Sequence, residues 1–318
     1  MSRHAKPAPD APIHITMGEP AGIGPEVAML AFDSLKGRAG NHPLRLVGDP
    51  DVFRVCGKID LASVIPVAEQ ATRKAGTPDP ANNAAVIASI DRCVRAAMHG
   101  EIAAMVTAPI SKAVLMRGGF PYSGHTEYLA HLTGASRAIM MLAAPALRVV
   151  PLTIHTPLSE VPKLISTDAI IEAGEIILNS LKRDFAVKKP RLAVAGLNPH
   201  AGESGTLGNE DHDIIMPAVN ALRMKGHIVA GPLPADTMFH GEARARYDAA
   251  LCMYHDQALI PIKTLAFWEA VNVTLGLPIV RTSPDHGTAL DIAGKGKADP
   301  RSMIAAIELA AQMADARG

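Results

Sequence analysis

Short apolar runs bounded by glycine, proline or aspartate alternate along this chain with longer segments in which apolar residues return every three or four positions. Few folds satisfy such a pattern. Runs that short, with no regular polar face, must be covered on both sides, and the helices that cross over between them supply the cover. The pattern therefore predicts an α/β protein with mostly parallel strands. Strands are expected at Ile13–Met17, Leu44–Val47, Ala103–Thr107, Ala138–Leu142, Leu147–Ile154, Leu192–Ala195, Ala249–Met253 and Val271–Thr274. Helices are expected at Pro25–Leu35, Asn82–Met98, Thr167–Leu181, Asp213–Met224 and Pro300–Met313. A length of 318 residues suggests about two domains. No repeat and no linker-like stretch separates them, which favours two intimately joined lobes.

Composition removes several classes. Lys plus Arg number 31 and Asp plus Glu also 31, so the chain lacks the basic footprint of a phosphate-backbone binder, and 3% aromatic residues leave little for base stacking. Nucleic acid is not an expected partner. Cys56, Cys93 and Cys252 form no CxxC pair, so neither a disulfide framework nor a thiolate zinc site is indicated, and a reducing, cytoplasmic setting is expected. Met1–Pro12 is rich in proline, alanine and charge and reads as a flexible tail. No apolar stretch reaches the roughly 18 residues of a membrane span, so no membrane association is expected.

Four regions carry candidate chemistry. Gly18–Glu26 follows an expected strand and opens a helix with Pro25 at its first position, a place where backbone amides can face an anion. Its GxxxGxG spacing matches neither the dinucleotide nor the phosphate-loop pattern, and it reads equally well as a tight turn needing positive φ. Thr107–Lys112 and Gly118–Glu127 place Ser, Lys, His and Thr at strand-to-helix transitions suited to a small phosphorylated ligand. Ser123 or Thr126 could instead cap the following helix. Of 13 histidines, His155, His200 and His255 each come directly after an apolar strand, where parallel α/β sheets bind ligands. Three imidazoles suit zinc and other borderline divalent ions, the alternative being hydrogen-bonded loop residues. Lys263, Asn272 and Arg281 resemble anchors for a phosphate and a carboxylate, with surface salt bridges as the alternative for the two cations. Asp285–Gly296 is too glycine-rich and polar to be core.

Taken together, MGEPAGIGPE, VTAPISK, GHTEYLA, GLNPHAGE, GPLPADT, YHDQ and NVTLGLPIVRTSPDHGTALDIAGKG resemble the 4-hydroxythreonine-4-phosphate dehydrogenase family of pyridoxal phosphate biosynthesis, over nearly the whole chain. The resemblance implies an isocitrate/isopropylmalate dehydrogenase-like fold of two α/β lobes with the active site in the cleft between them. Residues 1–125 with 283–318 would form one lobe, and residues 126–282 the other, carrying most metal and dimer contacts. A homodimer would complete the site at its interface. It further implies metal ligands at His155, His200 and His255, substrate contacts at His125, Thr126, Lys263, Asn272 and Arg281, and a cofactor loop at His286, Gly287, Thr288 and Ala289. Ala258 stands where many relatives have glycine. The implied reaction is oxidation of 4-phosphooxy-L-threonine by NAD or NADP with a divalent metal (zinc, magnesium or cobalt). The product, 2-amino-3-oxo-4-phosphooxybutanoate, would then lose carbon dioxide to give 3-amino-2-oxopropyl phosphate. Asp236 and Lys263 are the candidates to receive the hydroxyl proton.

Three other readings compete. A dehydrogenase of the same family could act on threonate or erythronate 4-phosphate, because the Thr264–Glu269 segment varies among relatives with other phosphorylated acids. A three-histidine metal hydrolase or lyase would use no nicotinamide. A non-catalytic binder of a phosphorylated ligand would show saturation without turnover.

Overall fold

The computed structural model describes residues 5–318. Its first strand, β1 (Ile13–Thr16), is buried along its whole length, His14 and Thr16 included. The chain turns at Gly18–Ile23 into α1 (Gly24–Ser34), which has proline in its first turn, where the missing N–H costs nothing. There follow β2 (Arg38–Ala39), β3 (His42–Gly48), α2 (Pro50–Cys56), β4 (Val64–Pro66), α3 (Asn83–Met98), β5 (Ala104–Val106), α4 (Lys112–Arg117) and α5 (His125–Thr133).

From Ile139 to Ala270 the chain builds a second compact unit. Its elements are β6 (Ile139–Ala144), β7 (Leu147–Pro151), α6 (Val161–Leu164), α7 (Thr167–Asp184), β8 (Arg191–Ala195), α8 (Met216–Met224), β9 (Ile228–Leu233), α9 (Gly241–Arg244), β10 (Ala249–Cys252) and α10 (His255–Ala266). The strands lie in the order β6-β7-β10-β8-β9. β7, β10, β8 and β9 run parallel, and only β6 is antiparallel to its neighbour. The core under this sheet is built mostly from Ala, Val, Leu and Ile, with Met238, Cys252 and Tyr247, mainly small side chains that let helix and sheet approach closely.

The chain then re-enters the first unit with β11 (Val271–Leu275), β12 (Arg281–Pro284) and α11 (Arg301–Arg317). There the order β3-β1-β5-β12 is parallel throughout, with β4 parallel on β3 and β11 antiparallel to β12.

The expected strands and helices are present with end shifts of a few residues, and the predominance of parallel pairing agrees. The helix expected from Asp213 begins at Met216, after a wider π-type turn over Asp211–Ile215. The expected lobe limits are corrected. The first unit keeps everything up to Ala138 and from Val271 onward. α5 packs on α3, and β11 hydrogen-bonds to β12, so both elements placed in the other lobe by the resemblance belong with the first. Of the expected flexible tail, residues 1–4 lie outside the described part. The remainder is tied down: Ala5 N–H donates to Met98 O at 3.3 Å, Lys6 Nζ to Gly318 O at 2.8 Å, and Ala11 is buried. Among the described residues no helix is long and apolar enough to cross a membrane.

Candidate active site

In the first unit, polar side chains gather around one buried cation. Arg281, at the start of β12, is 3% exposed. Its guanidinium donates to Thr107 Oγ1 from Nε (3.1 Å) and Nη2 (2.5 Å), and to Thr274 Oγ1 from Nη1 (2.8 Å). The register places these partners: β12 lies between β5, which ends just before Thr107, and β11, which carries Thr274. Hydroxyls satisfy N–H donors without neutralising the charge, and burial pushes the Arg281 pKa down to about 9. Such a group is set to receive an anion. The surface salt-bridge reading of Arg281 is therefore excluded.

His125 and Thr126 open α5. The helix has Gly124 at its N-cap and no side-chain cap, so capping is not the role of Ser123 or Thr126. A Cβ on Gly124 would come within 3.1 Å of Lys112 Nζ, which places that ammonium against the helix start. Burial, with the Arg281 and Lys112 charges adding, holds His125 well below the usual histidine range, so it is neutral. Its Nε2 is buried without a partner, as is Oδ1 of Asn272 on β11. Free amides at a helix start, two cations and two orphaned polar atoms match a small phosphorylated acid.

The glycine turn serves the Asp285–Gly296 stretch. Gly18 has φ +72°, and a Cβ there would lie 2.7 Å from Pro109 O. A Cβ on Gly22 would lie 2.7 Å from Thr288 O, and Ile23 N–H donates to that oxygen at 2.9 Å. Close approach of two backbones explains these glycines: Gly18 packs against Pro109 and Gly22 against Thr288 of the 285–296 loop. In that loop His286 Nδ1 lies 3.0 Å from Gly287 O while its Nε2 is buried and unpartnered, and Ala289 has a left-handed φ of +42°.

The three strand-end histidines belong to the second unit. β7, β10 and β8 are adjacent and parallel, so the segments after them leave the same end of the sheet. His155 (φ +52°) follows β7, His255 is the first residue of α10 after β10, and His200 (φ +51°) lies in the segment after β8. The rings of His155 and His255 are 5.9 Å apart, and His255 Nδ1 lies 2.8 Å from Asp256 Oδ1. His155 and His200 are exposed. Among the described residues no three His, Cys, Asp or Glu side chains converge on a point where a metal could sit, so the single chain pairs two of the three histidines. Elsewhere in this unit, Lys263 lies on α10 with Nζ 5.4 Å from the centre of the Phe267 ring. Asp236 is exposed in the segment after β9.

Two residues without a role in the sequence reading organise these loops. Gln257 accepts from Met253 N–H (2.7 Å) and donates to Gly196 O (2.7 Å), joining the exits of β10 and β8. Buried Asp211 accepts from the backbone N–H groups of Leu197 (2.8 Å) and Asn198 (3.0 Å). The Q of YHDQ and the D of the NEDHD run were visible, but nothing local shows that they reach across a sheet end. Asp211 anchors a run of five left-handed residues from His200 to Ser204, four of them not glycine.

The first unit thus holds a buried arginine and orphaned polar atoms, and the second a pair of imidazoles at a sheet end, groups suited to the chemistry of small anionic substrates. Comparison with known proteins agrees. The model of the pyridoxal phosphate biosynthetic protein PdxA matches residues 30–310, and the chain belongs to this family and, with it, to the oxidoreductases. A 4-hydroxythreonine-4-phosphate dehydrogenase of Roseobacter denitrificans is 52% identical over 96% of this chain and 97% of its own. One from Caulobacter vibrioides is 48% identical over 96% and 98%. The crystal structure of 4-hydroxythreonine-4-phosphate dehydrogenase from Klebsiella pneumoniae superposes with TM-score 0.86 at 37% identity, over 96% of this chain and 99% of that one.

Proposed function

We propose that this chain oxidises 4-phosphooxy-L-threonine to 2-amino-3-oxo-4-phosphooxybutanoate with NAD or NADP as hydride acceptor, the product then losing carbon dioxide to give 3-amino-2-oxopropyl phosphate. The observation that carries the reading is Arg281, a buried cation whose partners are two hydroxyls, in a chain whose relatives are named for a phosphorylated hydroxy amino acid. Lys112, the α5 amides and Thr126 would hold the phosphate, with Arg281 and Asn272 orienting the acid. Neutral His125 can accept or donate one hydrogen bond to substrate. Lys263 and Asp236 are the candidates to take the proton of the C3 hydroxyl. His286–Ala289 would receive the dinucleotide.

His155, His200 and His255 would hold a divalent metal. The donor set fits: Asp256 occupies Nδ1 of His255, which leaves Nε2 as that ring's ligating nitrogen, and three imidazoles suit zinc or cobalt better than oxygen-seeking magnesium. When bound, such an ion polarises the substrate hydroxyl and the later carbonyl. Because one chain pairs only two of the three, the site is read as completed in a homodimer. Exposed Ile260, Phe267 and Trp268, clustered on and just after α10, are the kind of surface a second copy would cover.

The test is the purified protein with NAD or NADP, offered 4-phosphooxy-L-threonine or threonate and erythronate 4-phosphates, with and without chelator. The expected result is chelator-sensitive formation of reduced nicotinamide with the amino acid. Preference for a sugar acid would replace the substrate, and turnover without dinucleotide would overturn the class.

A further inference from the structure

The connection from β4 to α3 carries no recognisable motif, and Thr72, Lys74, Ala75 and Gly76 within it are exposed. Arg73 turns the other way. Its side chain is 4% exposed and pairs with Glu26, 10% exposed, on the first turn of α1. The guanidinium also donates to the carbonyls of Pro20 and, at 2.8 Å, Gly22. The same Glu26 Oε1 accepts from Gly294 N–H at 2.7 Å. One buried ion pair thus joins three segments far apart in sequence: the glycine turn, the 71–76 loop and the 285–296 loop.

Backbone contacts follow the same seam. Gly76 N–H donates to Ala21 O at 2.8 Å, and Cβ atoms on Gly76 and Gly294 would come within 3.0 Å of Leu290 O and 2.7 Å of Ala75 Cβ. From the outer side, Ala71 N–H donates to Asp49 Oδ2 (2.7 Å) and Thr72 N–H to Asn82 Oδ1 (2.8 Å). A buried ion pair is a poor source of stability, since its desolvation offsets its attraction. What this pair supplies is register: each partner spends its remaining capacity on the backbone of a different segment.

We propose that Arg73 and Glu26 are positioning residues for the dinucleotide, holding the 285–296 loop in the shape that receives it. This rests on the reading of His286–Ala289 as the cofactor loop. The test compares wild type with Glu26→Gln, Arg73→Met, the double variant Arg73→Met/Glu26→Gln, and Lys74→Ala as an exposed control. The double variant leaves no unpaired buried charge, so it decides the matter if Arg73→Met alone fails to fold. Dinucleotide Kd without substrate and dinucleotide KM should both rise about tenfold in the double variant. KM for the phosphorylated substrate should stay within about twofold. Glu26→Gln keeps an acceptor for Gly294 N–H and should show a smaller rise, and Lys74→Ala none. In wild type, dinucleotide should slow hydrogen exchange in residues 71–76 together with 286–296. A folded double variant that binds dinucleotide normally, equal rises in both KM values, or protection of 286–296 alone would overturn the positioning role while leaving the cofactor reading intact. Failure of wild type to bind either dinucleotide would overturn both.

Discussion

At the scale of single residues, the chain keeps ionisable groups in places where they cost stability. Arg281 has hydroxyl partners and no neutralising carboxylate among its hydrogen bonds. Arg281→Met should therefore cut kcat/KM for the phosphorylated substrate by at least about 100-fold, roughly 3 kcal/mol, while the substrate-free melting temperature holds or rises. Kinetics and a thermal melt on the same preparation check this. His14 is the second case: burial, with Arg92 and Arg45 adding, pulls it from 6.5 down to about 4. Above pH 6.5 the folded and unfolded states both hold it neutral. Between about 6.5 and 4 the unfolded chain takes up a proton that the folded one refuses, so stability falls as pH falls, by up to about 3 kcal/mol from this residue. His14→Leu should flatten that part of the pH–stability curve, measured by urea denaturation. Arg281 was legible as a candidate anion anchor from its type and context, but its burial and its hydroxyl partners were not. The burial of His14 follows from a strand covered on both faces, but its depressed pKa was not legible, since Arg92 and Arg45 come near it only in the folded chain.

At the scale of elements, the sheet end in the second unit is organised by side chains that bridge loops. Gln257→Leu leaves Met253 N–H and Gly196 C=O without their partner. Expected are a loss of about 1–3 kcal/mol and, at the proposed metal site, affinity lower by about 10–100-fold, the first read by denaturation and the second by metal titration. The left-handed run at His200–Ser204 is costly for residues with a Cβ, about 1–2 kcal/mol each. Ala201→Gly should raise stability by about 1 kcal/mol, and a drop would mean that the loop takes another shape. Strands and long helices were legible because their hydrophobic period is local. β12 and α10 were not, because RTSP reads as polar and the apolar residues of α10 surround a proline. Each takes its form from neighbours: β12 lies between β5 and β11, and α10 packs on β7 and β10.

For the whole molecule, the balance of 31 basic and 31 acidic residues leaves apolar contact as the available driving force for self-association. Phe267→Asp with Trp268→Asp should shift the proposed dimer toward monomer, and with it lower metal affinity, as light scattering and metal titration would show. The α/β class, the parallel pairing, the family and the three strand-end histidines follow from sequence, because each depends on local hydrophobic period or on long motifs. Which strands neighbour one another, that β11 and α5 belong to the first unit, that Gly22 exists to admit Thr288, and that Arg73 reaches Glu26 were decided only by tertiary structure. The physical reason is range. Period and turn chemistry act over a few residues, whereas burial and close backbone approach depend on segments that meet only once the chain has folded.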